Sequence, residues 1–129
     1  MADRDSLIRG IGELLLRDIA SVGHDLDGYA LIAAYTDDGA RRVSGFGYRD
    51  GEPPVAATPR TGIDTIAARL DELREATHVA GEEPWTTCVI QLRRAGGRLH
   101  AGFFYGEDAQ AWAITPATLA EVAERARPA

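Results

Sequence analysis

The sequence predicts an α+β fold in which one antiparallel sheet of four or five strands has helices packed on one face. Two β-hairpin patterns alternate with segments of helical periodicity, one hairpin in each half of the chain. No strand–helix–strand repeat occurs, so the pattern does not require a parallel sheet. The length of 129 residues is that of one domain, and we expect a single domain over residues 1–129. The other face of the sheet is then expected to be free.

An amphipathic helix followed by a hairpin is predicted for the first 48 residues. Apolar residues recur at helical spacing and end near Gly23. They are Leu7, Ile8, Ile11, Leu14, Leu15, Ile19 and Val22. Two β-type runs, 29–35 and 43–48, then flank the turn residues 37–39. Such runs on either side of an Asp-Gly turn are typical of a β-hairpin.

The middle of the chain predicts an edge strand and a second helix. Residues 55–58 have strand character, and Pro59 ends the strand because proline cannot donate to a sheet ladder. Helical spacing then continues to about His78, with Gly81 as the stop. The apolar positions of this helix are Ile63, Ile66, Ala67, Leu70 and Leu73. They form a single stripe, so we expect the helix to pack through one side only.

A second hairpin and a closing helix are predicted for the last third. Residues 85–92 and 99–105 are rich in β-formers, and the glycines between them permit the positive φ angles of a turn. Alternation in the last strand places aromatic side chains on both faces of the sheet. Thr115 and Pro116 are suitable as the N-cap and first residue of a short closing helix.

Charge and composition limit the classes of partner. The formal net charge is −6, and every basic residue is arginine. Nucleic acid is not expected as a ligand, because phosphate binding needs clustered basic residues and acids predominate here. An acidic surface points to a basic partner, or simply to solubility. No apolar stretch reaches the roughly 20 residues that cross a bilayer, so no membrane role is expected.

The cysteine content indicates a reducing compartment. Cys88 is the only cysteine, and the N-terminus lacks the basic start and apolar run of a secretory signal. We therefore expect a cytoplasmic protein. Cys88 alternates with apolar residues of a predicted strand, which favours a buried structural thiol over a reactive one.

The search for catalytic spacing gives no candidate that outweighs a structural explanation. His24 lies close to Asp25 and Asp27, but a solvated loop accounts for this cluster. His78 and His100 lack the spacing of paired metal ligands. Neither Gly10-Ile11-Gly12 nor Gly45-Phe46-Gly47 has the third glycine of a dinucleotide loop. We expect no enzyme activity, no catalytic residues, no metal site and no cofactor.

The last third resembles the YezG-like immunity proteins. The resemblance lies in Pro84-Trp85 followed by the aliphatic strand 86–92, and in Gly97 followed by the strand that closes on Phe103, Phe104, Tyr105 and the acids 107–108. It implies an antitoxin without cofactor that binds and neutralises a cognate toxin, often a nuclease, inside the producing cell. Proline rigidifies the link into the strand, and the aromatic rings of Trp85, Phe103 and Tyr105 are more simply explained as core than as interface anchors.

Acidic pairs in three predicted turns are the candidate toxin-binding residues. They are Asp37-Asp38, Glu82-Glu83 and Glu107-Asp108. Antiparallel pairing of the second hairpin should place the last two pairs at one end of the sheet, whereas Asp37-Asp38 is not fixed by this argument. Solvated turn charges are the simpler interpretation of each pair.

Two other functions stay open at this point. One is a small-molecule-binding or sensory module that uses the free sheet face. The other is an enzyme in which His24 or Asp27 lines a deep pocket.

Overall fold

The computed structural model describes residues 3–21, 26–36, 38, 40–59 and 62–128. Its elements, in chain order, are α1 (Arg4–Ser21), β1 (Gly28–Tyr35), β2 (Arg41–Tyr48), β3 (Val55–Ala56), α2 (Ile63–Thr77), β4 (Thr87–Arg93), β5 (Arg98–Phe104), α3 (Gly106–Gln110) and α4 (Leu119–Arg125). A short 3₁₀ turn at Ala95–Gly97 joins β4 to β5. The predicted α+β class is confirmed.

The five strands form one antiparallel sheet in the order β3-β2-β1-β4-β5. Both predicted hairpins are present, and the short β3 lies at an edge as expected. β1 lies in the centre with neighbours on both sides, and it is buried on both faces. This position explains why its sequence is apolar without strict alternation.

The helices α1 and α2 cover what we call the first face of the sheet. The strands contribute Tyr29, Leu31, Ala33, Tyr35, Cys88, Ile90 and Leu92 to this face, and Trp85 packs there from the segment before β4. The helices contribute Leu7, Ile11, Leu15, Ile66, Leu70 and Leu73. The spacing that predicted the two helices is therefore the spacing of this core. Cys88 is fully buried in it, as predicted, and burial raises the pKa of its thiol to about 12.

The opposite face, called the second face, is not free, and this part of the prediction is wrong. Val122, Ala123 and Ala126 of the α4 region pack there, together with Trp112 and Ile114. The sheet residues beneath them are Ala30, Ile32, Phe46, Tyr48 and Val89. The prediction failed because β1, β2 and β4 carry apolar side chains on this face as well, and that apolar surface has to be covered.

Two further details near the C-terminus differ from the sequence prediction. The closing helix begins at Leu119 with Thr118 as its N-cap, three residues after the predicted start at Pro116. The residues before it form a turn in which the hydroxyl of Thr118 donates to the carbonyl of Ala113. The helix α3 was not predicted, because five residues are too few to show a helical period.

Gly45 has a packing role that its sequence context did not indicate. A Cβ atom at this position would collide with the hydroxyl of Tyr29 and the carbonyl oxygen of Ala57. That hydroxyl donates a hydrogen bond to the same carbonyl, which ties the segment after β3 to the sheet. Any larger residue at position 45 would displace this bond.

No helix in the described part of the chain is long and apolar enough to cross a membrane.

Candidate functional site: the acidic end of the sheet

The strand register brings all three predicted acidic positions to one end of the sheet. Ala34 of β1 pairs with Thr87 of β4, and Thr87 pairs with Phe104 of β5. The β1–β2 turn, the segment before β4 and the segment after β5 therefore share this end. Its described acids are Asp38, Glu82, Glu83, Glu107 and Asp108, and we call this group the acidic end. Asp37 lies outside the described residues.

The position of Asp38 was not predictable from the sequence, because the sequence does not show where the first turn lies relative to the second hairpin. Its carboxylate accepts hydrogen bonds from the hydroxyl of Thr36 and, at 3.2 Å, from the amide of Ala40. These bonds lower the pKa of Asp38. The carboxylate is therefore charged and holds the turn in shape, which is the structural role that the simpler interpretation assigns to it.

The other four acids have a different character. Glu82, Glu83, Glu107 and Asp108 are exposed, and none of their carboxylates makes a hydrogen bond or ion pair with another described residue. At the opposite end of the sheet, by contrast, Arg93 binds Asp50 through two hydrogen bonds of 3.0 and 2.9 Å. The acidic end thus concentrates four carboxylates that form no ion pair with any described residue.

The local backbone explains part of this arrangement. Glu107 and Asp108 occupy the first turn of α3, where the amide dipoles of a helix favour negative charge. Glu82 sits in a turn closed by a hydrogen bond from its amide to the carbonyl of Val79, and Gly81 supplies the positive φ of 85°. The ring Nε2 of His78 lies 2.6 Å from the carbonyl oxygen of Glu82 and holds this turn against the end of α2.

Two large apolar side chains are exposed beside these acids. The exposed fraction is 57% for Val79 and 50% for Tyr105. The prediction that Tyr105 belongs to the core is therefore wrong. The chain leaves β5 after Phe104, and Tyr105 becomes the N-cap residue of α3, so its ring no longer continues the alternation of the strand.

The other residues of the family-like motif have structural positions. Trp85 is fully buried, and its indole Nε1 donates a 2.7 Å hydrogen bond to the hydroxyl of Thr77. Its ring lies 5.5 Å from that of Phe103, which packs at the border of the first-face core. Gly97 adopts a φ of 59° in the β4–β5 turn, at the opposite end of the sheet. The core prediction is confirmed for Trp85, whereas Phe103 is only partly buried.

A polar pocket adjoins the acidic end and was not anticipated from the sequence. It has a volume of about 350 Å³, and its lining includes Tyr35, Arg41, Asp71, Arg74 and Pro84. Asp71 accepts a 2.7 Å hydrogen bond from the hydroxyl of Tyr35 and a 2.9 Å bond from Arg41. These residues come from β1, β2 and α2, so no local spacing in the sequence could have grouped them.

The chemistry of this pocket is that of a structural network. Burial and the hydrogen bond to Asp71 raise the pKa of Tyr35 above its usual range, so the phenol stays protonated at neutral pH and is a poor general base. The guanidinium of Arg74 lies 4.5 Å from the centre of the Tyr35 ring and donates to the carbonyl of Trp85. Each group is thus held by a neighbour, and the network fixes α2 against the acidic end.

The loop proposed as an alternative acid–base site is described only in part. His24 and Asp25 lie outside the described residues. The carboxylate of Asp27 accepts a 2.7 Å hydrogen bond from the amide of Asp50, which links the start of β1 to the turn after β2. Within the described residues, no group of three or more potential metal ligands occurs.

A groove on the second face also opens towards this end. Its volume is about 330 Å³, and it lies between the β1–β2 hairpin and the segment 112–114. Ile32, Ala34, Trp112 and Ile114 give it an apolar floor, while Arg42 lies on its lining.

Comparison of the chain with models of known protein families and with curated proteins gave no match.

Proposed function

We propose that this chain is an immunity protein that works in the cytosol by binding a basic face of a cognate toxin with its acidic end. The proposal is supported by the resemblance of the last third to YezG-like immunity proteins. The observation that carries it is the combination, at one end of the sheet, of four carboxylates that are not paired with any described residue and two exposed apolar side chains, Val79 and Tyr105.

This combination matches the anatomy of a protein-binding surface. Interfaces take most of their binding energy from a few anchors, among which tyrosine is enriched, and the surrounding polar residues exclude water. Tyr105 has the right chemistry for an anchor, because half of its side chain is exposed and its backbone is fixed by α3. Val79 adds exposed apolar area at the same end of the sheet.

The carboxylates would act mainly on the rate of association. Unpaired surface charges of one sign attract a partner of opposite sign over a distance set by salt, which is about 10 Å at 0.1 M ionic strength. Because Glu82, Glu83, Glu107 and Asp108 form no ion pair with a described residue, their field is available to a basic toxin surface. Added salt should therefore weaken the attraction.

The test is charge reversal at the acidic end. Changing Glu82, Glu83, Glu107 and Asp108 to Lys should slow association with the toxin at least about tenfold at low salt, and less at high salt. The toxin is to be sought in the reading frame next to this gene, and the on-rate measured by surface plasmon resonance. Circular dichroism checks that the variant is folded.

A control with the same change in net charge separates a local from a general effect. Four exposed acids away from the acidic end serve this purpose: Glu13, Glu52, Asp64 and Glu121. Their reversal to Lys should change the on-rate much less. Equal slowing by both variants, or no slowing by the first, would place the interface elsewhere.

A small-molecule-binding module is the second candidate, and the groove on the second face favours it. An apolar floor beside an arginine suits a small carboxylic acid whose hydrocarbon part lies on the floor and whose carboxylate faces the arginine. Native mass spectrometry of the protein purified from its host cell checks this: a bound metabolite that is lost on Ala34→Trp, which fills the groove, supports the second candidate.

A further inference from the structure

The two edges of the sheet differ in how they are protected. The edge strand β3 has only two residues and is flanked by Pro53, Pro54 and Pro59. The other edge strand, β5, has seven residues and contains no proline. No other strand in the described part of the chain pairs with its outer side. A long, unprotected edge strand is a template for pairing with another strand.

The hydrogen bonds of β5 show which residues point outwards. The carbonyl of Phe104 accepts from the amide of Thr86, so Phe104 points towards β4. Backbone groups of successive residues in an antiparallel strand point to alternate sides. Leu99, Ala101 and Phe103 therefore present their N–H and C=O groups to the open edge. This edge offers three donors and three acceptors at regular spacing.

A groove accompanies this edge on the first face. It lies between β5 and the start of α1 and has a volume of about 600 Å³. Ile8, Leu99, Ala101 and Phe103 line it with apolar surface, and Arg4 and Arg9 lie on the α1 side. A strand added to the edge would place every second side chain beside this groove.

We propose that the added strand is β5 of a second copy, and that the chain forms a symmetric dimer with a continuous ten-stranded sheet. An antiparallel pairing with its two-fold axis at Ala101 sets Ala101 opposite Ala101 and Leu99 opposite Phe103. These are the residues whose backbone groups point outwards, so all six groups on each copy are paired.

The side chains in this register are also complementary. On the first face, Leu99 meets Phe103 of the second copy at the apolar groove. On the second face, Arg98 lies opposite Phe104, a pairing that brings a guanidinium near an aromatic ring. The β5 strands of the two copies are therefore complementary, and no like charges lie directly opposite each other. This inference does not depend on the proposed function.

Proline substitution at the two edges gives a matched test. The N–H of Ala101 points away from β4, so Ala101→Pro should leave the monomer folded but remove the two central hydrogen bonds of the dimer. Ala56→Pro is its control: Ala57 donates to Gly45, so the N–H of Ala56 points away from β2 in the same manner. Sedimentation equilibrium across the micromolar range should show a dimer for wild type and for Ala56→Pro. For Ala101→Pro, the dissociation constant of the dimer should rise by at least about tenfold.

A cross-linking test remains decisive if Ala101→Pro does not fold. Residues directly opposite in a hydrogen-bonded antiparallel pair have Cα atoms about 5.5 Å apart, within the range of a disulfide. Cys88 is buried, so Ala101→Cys adds one accessible thiol. Under mild oxidation it should form covalent dimers much faster than Ala56→Cys does. Wild-type protein that stays monomeric, or equal cross-linking of the two cysteine variants, overturns the proposal.

Discussion

The two faces of the sheet are closed by different means. On the first face, long helices bring large side chains such as Leu15 and Leu70 against Trp85 and Ile90, and all four are fully buried. On the second face, the seven-residue α4 contributes mostly small side chains. Stability on the first face therefore comes chiefly from apolar burial, whereas the second face needs additional bonds.

Those additional bonds join side chains to backbone carbonyls between the sheet side and the α4 region. The hydroxyl of Tyr48 donates to the carbonyl of Ala123 at 2.7 Å, and the amide of Gln91 donates to the carbonyl of Ala126 at 2.9 Å. Arg127 also donates to the carbonyl of Glu52. The carbonyls at a helix C-terminus lack partners within the helix, so the bonds from Tyr48 and Gln91 satisfy two of them. The lesson is that a short helix is held by polar contacts when its apolar stripe is small.

The largest expected effect comes from the tryptophans, one on each face. Trp85→Ala should lower the free energy of unfolding by about 3–5 kcal/mol, because it empties a buried site and leaves the Thr77 hydroxyl without its donor. Trp112→Ala should cost about 1–2 kcal/mol, because its ring is only partly buried. Urea unfolding followed by circular dichroism measures both. Equal losses would contradict the difference between the faces, and no loss for Trp85→Ala would mean that its ring is not in the core.

A smaller effect is expected from α4 itself. Val122→Ala removes two carbon atoms from a fully buried site and should cost about 1–2.5 kcal/mol. Leu119→Ala in the same helix is the control, since 46% of the Leu119 side chain is exposed. Thermal unfolding by calorimetry compares the two variants. If both lower the melting temperature equally, packing of α4 on the sheet is not what closes the second face.

The smallest effect isolates one polar contact of the second face. Tyr48→Phe removes only the hydroxyl that donates to Ala123 and should cost about 1 kcal/mol near neutral pH. Retention of full stability in urea would show that this bond does not hold α4.

Tyr48 should also affect how the stability of the fold depends on pH in the alkaline range. Burial raises the pKa of Tyr48 above that of the unfolded chain, which is about 10. Above that pH the unfolded state loses the proton first, so stability falls as pH rises towards the folded pKa. Denaturant unfolding at several pH values should show a shallower alkaline decline in Tyr48→Phe. An unchanged decline would assign it to other groups, such as Tyr35.

Much of the fold follows from patterns that are local in the sequence. Apolar spacing located α1 and α2, and β-rich runs around Asp-Gly and Gly-Gly turns located both hairpins, because each pattern reflects a period of its own element. The position of α4 on the second face was not predictable in this way. A seven-residue helix with a few small apolar residues could pack at several positions on the fold. The apolar residues that the sheet presents on its second face determine which position it takes.

In the candidate site, too, some features were predictable from local sequence and others were not. The register of the second hairpin was enough to predict that Glu82-Glu83 and Glu107-Asp108 share one end of the sheet, since antiparallel strands fix which ends meet. The sequence could not place Asp38 there, because that depends on β1 pairing with β4 across a separation of more than 50 residues. The exposure of Tyr105 was likewise decided by the start of α3.

The sequence by itself determined the class of fold, the bounds of its longer elements to within a few residues, the burial of Cys88 and Trp85, and the net acidity. Only the tertiary structure decided that α4 closes the second face, that Tyr35, Arg41 and Asp71 form one network, and that the edge of β5 is open. The physical reason is the separation along the sequence between the residues that determine each property. Periodicity, turn geometry and charge are properties of neighbouring residues, whereas burial on a second face, a network from three elements and an unpaired strand edge exist only once distant segments are in contact.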